Sequence, residues 1–218
     1  MTHDNNKSVF VTWLAALIVL TALALAIGSL WKDSISVDEI PHVGAGYSYL
    51  AKNDMRLNPE HPPLAKDLAG LPLYFLKLSP AAFNTSSWNE DINGQWQFGR
   101  QLIFNSGNDA VVIAHLTKIF MLAFFVLSAH FVFRWTRKLY GDNTALLALT
   151  LFSFSPTVMA HSRLVTTDVA ALFGVLYSSF YFLVYLKNPK FSTFILAAFT
   201  FGVALLTKFS TVLLIPYL

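Results

Sequence analysis

The 218-residue chain is 55% hydrophobic and 15% aromatic, and only 12% of its residues are charged. Soluble domains carry about 25% charged residues, so this composition, with a mean hydropathy of +0.54, is typical of a membrane protein. The net charge of +3 is scattered without a basic run, which argues against nucleic-acid binding. The absence of cysteine excludes disulfides and cysteine-based metal sites.

The first predicted element is the apolar run at residues 9–31, which follows a short polar leader containing Lys7. The run is longer than the hydrophobic core of a signal peptide, and no clear small-residue cleavage site follows it. We therefore predict a retained first transmembrane helix.

The long segment at about residues 32–110 is predicted to carry short helices that lie on the membrane. One helix is predicted from Glu39 to Lys52, and a second stretch has apolar residues at helical spacing, interrupted by Pro72. The apolar positions of that stretch are Leu64, Leu68, Leu71, Phe75 and Leu78.

Between these two helices, "LNPEHPPLAKDL" at residues 57–68 places Glu60 and His61 among three prolines. Proline fixes φ and removes a backbone donor, so this stretch is predicted to be a stiff, non-helical corner. The corner raises the question of why a membrane protein holds a carboxylate and an imidazole so rigidly.

Further spans are predicted at about residues 111–133, 143–160, 168–186 and 191–206, with an incomplete span at 209–218. The predicted fold class is therefore an all-α multi-pass membrane protein. Because the last apolar run is too short to cross a bilayer, we expect the chain to be the N-terminal part of a longer protein.

Basic residues in the short loops predict the orientation of the spans. Lys7 precedes the first span, three basic residues follow the second and two follow the fourth, and the positive-inside rule places all of them in the cytoplasm. These loop residues are Arg134, Arg137, Lys138, Lys187 and Lys190. The N-terminus is thus predicted to be cytoplasmic, and residues 32–110 and 161–167 extracytoplasmic.

Ionisable residues in four separate segments fall at this extracytoplasmic surface, namely Asp38, Glu39, His42, Glu60, His61, His161, Arg163, Asp168 and Lys208. Each has a simple structural explanation. Asp38 and Asp168 could cap helices. Arg163 could reach the lipid headgroups, and Lys208 could be an interfacial anchor. His61 could be an ordinary loop histidine. Charges near hydrocarbon are costly and usually face one another or a cavity. Their convergence on one side therefore predicts a shared site.

A site of this composition suits an anionic substrate linked to a lipid. Arg163 and Lys208 can bind a phosphate, and Asp38 can accept a proton from an acceptor hydroxyl as general base. Glu60, with His61 or another histidine, could hold a divalent metal ion. The predicted chemistry is group transfer from a lipid phosphate.

Three stretches in order resemble a known family. "DEIPHVGAGYSYLAKNDMRLNPEHPPLAKDLAGLPL" resembles the first outer loop of the polyprenyl-phosphate-dependent GT-C glycosyltransferases, in the branch of protein O-mannosyltransferases and lipid A aminoarabinose transferases. "SRLVTTD" resembles the second outer motif of the family, and "GVALLTKFS" resembles its apolar-Thr-Lys segment. The resemblance covers essentially the whole chain and implies a GT-C-type helix bundle with a long first outer loop.

The resemblance also implies roles for individual residues. Asp38 would be the catalytic base, with Glu39 beside it, and Glu60 would bind a metal or shape the pocket. The remaining implied residues would bind substrate, and these are His61, Arg163, Asp168 and Lys208. The implied donor is a sugar on dolichyl or undecaprenyl phosphate. Transfer would proceed with inversion to a protein or lipid acceptor, at the extracytoplasmic face of a plasma or inner membrane.

Two other functions remain open at this point. The chain could transport a lipid-linked precursor and use the same cations only for binding. It could also be a non-catalytic subunit of a larger transferase. Transporters usually place ionisable residues near the bilayer midplane, whereas these residues cluster at one surface, which favours transfer chemistry.

Overall fold

A computed structural model describes residues 2–217, with side chains from residue 8 onward, and every regular element in that part of the chain is helical. The α-helices are α1 Thr2–Leu30, α2 Glu39–Lys52, α3 Leu64–Leu76, α4 Ser86–Asn89, α5 Gln95–Arg100, α6 Ala110–Tyr140, α7 Asp142–Ser153, α8 Pro156–Ser162, α9 Asp168–Lys187 and α10 Phe191–Thr207. Short 3₁₀ turns at Pro80–Asn84 and Phe209–Leu214 and a π-helical turn at Gln101–Asn105 complete the described chain. The predicted all-α membrane fold is confirmed.

Within the described residues, three helices are long and apolar enough to cross a membrane, and these are Ser8–Leu30 within α1, α6 and α9. The helices α7 and α8 qualify only as a pair, bent by 60°. The apolar helix α10 is shorter, with 17 residues. The membrane part of the structure is therefore a bundle of unequal helices.

The bend between α7 and α8 falls inside the single span predicted at residues 143–160. Ser155 is extended, with φ −60° and ψ 124°, and Pro156 opens α8. Proline disfavours the helical conformation in the residue before it but fits the first turn of a helix. The sequence "SP" thus explains why one predicted span is two helices.

The helix α3 buries a different face from the one that its apolar spacing suggests. Leu71 and Phe75 are exposed, whereas the buried face is built from small residues and one lysine. The buried residues are Ala65, Lys66, Ala69, Gly70, Pro72 and Leu73. An apolar outer face suits a helix lying on lipid, while the small residues let α3 approach α2 closely.

The contact between α2 and α3 depends on two glycines. A Cβ atom at Gly46 would lie 2.0 Å from the carbonyl oxygen of Lys66, and one at Gly70 would lie 2.4 Å from the backbone of Gly46. No side chain fits between these backbones, so glycine is required at both positions.

Gly46→Ala is therefore expected to destabilise the protein by about 1–3 kcal/mol, the usual cost of overpacking a close contact. Thermal unfolding in detergent, followed by tryptophan fluorescence, measures the change. Gly28→Ala is the matched control, because a Cβ at Gly28 in α1 meets nothing within 4 Å. Equal melting temperatures for the two variants would contradict the close approach of α2 and α3.

The helices α9 and α10 form a hairpin that places two charged residues side by side. The helix α9 begins at Asp168, the turn at Lys187–Lys190 reverses the chain, and α10 ends just before Lys208. The Nζ atom of Lys208 lies 2.9 Å from Oδ1 of Asp168, which closes the open end of the hairpin. The segment between α1 and α6 packs around this end and supplies the rest of the site.

Candidate functional site

A polar pocket of about 390 Å³ lies at the open end of the α9–α10 hairpin. Five segments of the chain contribute to it: the start of α2, the corner before α3, the start of α5, the start of α9 and the residue after α10. The lining residues are Asp38, Pro41, His42, Asn58, Glu60, His61, Gln95, Trp96, Thr166, Thr167, Asp168 and Lys208.

Five of the seven predicted site residues line this pocket, namely Asp38, Glu60, His61, Asp168 and Lys208. The other two, Glu39 and Arg163, lie outside its lining and make contacts of their own. The chemical roles of all seven stay predictions, but the meeting of five of them from segments far apart in sequence is a property of the fold.

Asp38 is exposed and sits immediately before α2, with φ −68° and ψ −21°. Its carboxylate makes no capping hydrogen bond to the described part of α2. The simple capping explanation therefore does not apply to this side chain. An exposed carboxylate in a pocket wall can accept a proton from a bound hydroxyl.

Asp168 is held by Lys208, at 2.9 Å, and faces His161, whose Nδ1 lies 3.8 Å from Oδ2. The side chain of Asp168 is 48% exposed and that of Lys208 is 33% exposed. Exposed ion pairs of this kind are worth at most about 1 kcal/mol, so an anionic ligand can compete for the ammonium group.

Glu60 is fixed by the amide of Gln95, which donates to both carboxylate oxygens at 3.0 and 3.2 Å. The carbonyl oxygen of Gln95 in turn accepts from the Asn58 side chain at 2.5 Å. These bonds join the proline-rich corner to the start of α5. They also orient the Glu60 carboxylate.

Lys66 lies beneath the corner and is 1% exposed. Its ammonium group donates to the carbonyl oxygens of His61 and Asn58 at 2.6 and 2.7 Å, to the hydroxyl of Tyr49 at 2.7 Å and to Oδ1 of Asn58 at 3.2 Å. Burial lowers the pKa of Lys66 to about 8, so the group remains largely charged at neutral pH. A buried positive charge therefore supports the loop that carries Glu60 and His61.

His42 packs against His61, with ring centroids 5.0 Å apart and planes tilted by 49°. Burial, together with the nearby His61 and Lys66, lowers the pKa of His42 to about 4, so the imidazole is neutral at physiological pH. Its Nδ1 is buried and has no hydrogen-bond partner among the described residues. Burial also lowers the pKa of His61.

Glu39, the neighbour of Asp38, is fully buried. Its carboxylate accepts from the backbone N–H of Ser36 at 2.7 Å and of Val165 at 2.8 Å, and lies 3.3 Å from Nζ of Lys118. Glu39 thus joins the start of α2 to α6 and to the loop before α9. These are the contacts of a residue that positions both walls of the pocket.

Arg163 forms an ion pair with Asp33, which lies just after α1. This contact connects the α8–α9 loop to the segment entering α2. The resemblance implies that Arg163 binds the donor phosphate directly. This role stays a prediction, because the guanidinium group is paired with Asp33 and lies outside the pocket lining.

Sequence reasoning did not assign Lys66, Gln95 or Asn58 to the site, and named His42 without giving it a role. His42 could have been found from its spacing, because residues four apart share one face of a helix and Asp38 lies four positions earlier. Lys66 also left a signal, since a lysine among alanines and leucines on a short apolar helix must find a buried partner or reach water. Nothing in the sequence around Gln95 indicated its contact with Glu60.

The divalent metal that the sequence suggested at Glu60 finds no ligand set in the described residues. No group of three or more histidine, aspartate or glutamate side chains within residues 8–217 is arranged to hold a metal ion. The Glu60 carboxylate is instead satisfied by Gln95. A metal role for Glu60 stays a prediction.

An apolar groove of about 940 Å³ adjoins the pocket and shares His61 with it. It runs between the proline-rich corner and the last turns of α10. Its walls comprise Tyr49, Met55, Pro59, His61, Pro62, Pro63, Phe199, Gly202, Val203, Leu205, Leu206, Phe209 and Val212. The site therefore combines a charged pocket with an adjoining apolar groove.

Residues 101–218, more than half of the chain, match the family described as dolichyl-phosphate-mannose-protein mannosyltransferase. The matched region begins at the π-helical turn and covers α6–α10, including Arg163, Asp168 and Lys208. No curated protein and no solved structure matches the chain.

Proposed function

Because the chain belongs to the dolichyl-phosphate-mannose-protein mannosyltransferase family and is thus a membrane glycosyltransferase of that type, we propose that its polar pocket transfers a sugar from a polyprenyl phosphate to a hydroxyl group of a protein or lipid acceptor. One observation carries the proposal. Three acids and a cation from four separate segments meet in one pocket, and that pocket adjoins an apolar groove.

The donor phosphate binds at Lys208 in this proposal. The ammonium group is partly exposed and is held only by Asp168, so a phosphate can replace or share that contact. The buried charge of Lys66 adds a positive potential from beneath the corner. Arg163, paired with Asp33, holds the loop that leads to Asp168.

The apolar groove takes the first part of the polyprenyl chain. It begins at His61, at the edge of the polar pocket, and continues along Phe199, Val203 and Leu206 of α10. An apolar groove accommodates hydrocarbon without exposing it to water, which suits a lipid-linked donor better than a soluble one. The junction of groove and pocket sets the position of the phosphate.

Asp38 acts as general base in the transfer step. The acceptor oxygen attacks the anomeric carbon of the sugar while its proton passes to the Asp38 carboxylate. The bond between that carbon and the phosphate oxygen breaks, and its electron pair leaves on the polyprenyl phosphate. Attack from the side opposite the leaving group inverts the configuration at the carbon.

The proposed site faces the extracytoplasmic side of a plasma or inner membrane. The basic residues at the end of α6 and in the α9–α10 turn lie at the far end of the helices from Asp168 and Lys208. The positive-inside rule assigns that basic end to the cytoplasm. The polar pocket is then on the other, extracytoplasmic side.

Asp38→Asn is expected to lower sugar transfer by the full chain at least about 100-fold, because positioned general bases contribute about 10²–10⁴-fold to a rate. The assay follows label from a mannosyl polyprenyl phosphate into acceptor in membranes. Asparagine keeps the shape of the side chain but cannot take the proton.

Glu90→Gln is the control for Asp38→Asn, since it neutralises an exposed carboxylate outside the pocket and should leave transfer unchanged. The same assay separates the other two functions. A transporter would move label across the membrane without forming a new glycosidic bond. A non-catalytic subunit would show equal transfer with Asp38 and with Asn at this position, and either result would overturn the proposal.

A further inference from the structure

A second groove, of about 500 Å³, lies between α1, α6 and α7 at the opposite end of the bundle from the polar pocket. Its lining residues are Thr12, Ala15, Ala16, Val19, Val126, Ala129, His130, Phe133, Arg134, Arg137 and Leu149. None of them belongs to the proposed transfer site, so this groove requires a separate explanation.

The groove is apolar towards the middle of the helices and basic towards the end of α6. Ala15, Ala16 and Ala129 leave a concave surface because their side chains are too small to fill the space between the helices. His130, Arg134 and Arg137 are spaced by four and three residues, so they lie on one face of α6. A single cavity thus offers a hydrocarbon surface and a cluster of cations.

Arg137 is already engaged, because it donates to Asp142 at 2.6 Å and to the hydroxyl of Ser8 at 3.0 Å. Arg134 is exposed, and no carboxylate from residues 8–217 lies within 4 Å of it. The groove therefore holds a guanidinium group available for an anion, next to an imidazole.

We propose that this groove binds one anionic phospholipid, with its phosphate at Arg134 and His130 and an acyl chain along α1. Guanidinium groups bind phosphates through paired hydrogen bonds, and basic pockets between membrane helices on the cytoplasmic side take anionic headgroups. The cations of the groove lie towards the helix end, and its alanines and valines lie further into the bundle. A phospholipid has the same arrangement, with a charged headgroup followed by an acyl chain.

Native mass spectrometry of the detergent-purified full chain tests the site. The protein is mixed with phosphatidylglycerol or with phosphatidylcholine of the same acyl chains, and retained lipid is measured as detergent is removed. We expect one phosphatidylglycerol to be retained under conditions that remove phosphatidylcholine. Arg134→Gln should raise the dissociation constant for phosphatidylglycerol about tenfold, a change of about 1.4 kcal/mol in binding free energy, and so lower the retained fraction.

Two further variants distinguish the groove from general attraction to basic residues. Lys187→Gln removes an exposed cation at the same end of the bundle but outside the groove, and should retain lipid as the wild type does. Ala15→Trp should reduce retention by filling the apolar part of the groove. Equal retention of the two lipids, or equal losses in Arg134→Gln and Lys187→Gln, would overturn the proposal. The measurement does not involve sugar transfer, so its outcome is independent of the proposed function.

Discussion

Lys118→Met is expected to destabilise the protein by about 3–5 kcal/mol, the loss typical of removing one partner from a buried ion pair. Lys118 is 1% exposed and Glu39 is fully buried. Without the ammonium group, the Glu39 carboxylate keeps its two backbone donors but has no cation, and an uncompensated charge in an apolar interior is costly. Lys118 also donates to the carbonyl oxygen of Ser34 at 2.8 Å, and that acceptor would lose its partner.

Thermal unfolding in detergent measures the Lys118→Met effect, and a double-mutant cycle identifies its cause. Glu39→Gln combined with Lys118→Met removes both charges, so the double variant should be more stable than the sum of the two single losses predicts. Lys187→Met makes the same chemical change at an exposed lysine of α9 and should stay within about 0.5 kcal/mol of wild type. If Lys118→Met behaves like Lys187→Met, the buried pair does not support the fold.

The contact between Glu39 and Lys118 shows that the adjacent residues Asp38 and Glu39 lie in different environments. Successive residues on a helix point about 100° apart, because the helix has 3.6 residues per turn. Asp38 therefore reaches the pocket while Glu39 turns into the protein towards Lys118. The catalytic roles that the resemblance implies for both residues stay predictions, but Asp38 lines the pocket whereas Glu39 contacts Lys118.

The membrane fold could be predicted because it depends on local properties of the chain. Long apolar runs predict α1, α6 and α9, and the basic loops predict which helix ends lie together. The bend at Pro156 left a signal in the sequence as well, since proline restricts the residue before it.

It was also predictable that the ionisable residues would meet at one site, whereas the ion-pair partner of each residue was not. The predicted alternation of spans assigns Asp38, Glu60, Asp168 and Lys208 to one side of the membrane, and the structure brings the four residues into one pocket. The pairing of Glu39 with Lys118, or of Arg163 with Asp33, depends on side chains that meet only after the helices have packed. No local pattern encodes contacts between residues that lie so far apart in the sequence.

Lys66→Met has the second large expected effect, because Lys66 is the donor for four acceptors beneath the proline-rich corner. Each buried acceptor left without a donor costs about 1–3 kcal/mol. Part of this cost is offset, because burial disfavours the charged ammonium group that the substitution removes. The lowered pKa of Lys66 reflects that unfavourable burial. We therefore expect a net loss of roughly 3 kcal/mol, concentrated at residues 57–63.

Hydrogen–deuterium exchange distinguishes this local effect from general unfolding. Peptides covering residues 57–63 should exchange at least about tenfold faster in Lys66→Met, whereas peptides from α6 should change little, because local opening needs only the corner to separate from α3. Lys32→Met, at an exposed lysine, serves as the control. Sugar transfer should fall with the loosened corner, since Glu60 and His61 then lose their fixed positions in the lining of the polar pocket. Unchanged exchange at the corner would mean that the prolines alone hold it, and that the buried ammonium group contributes charge but no rigidity.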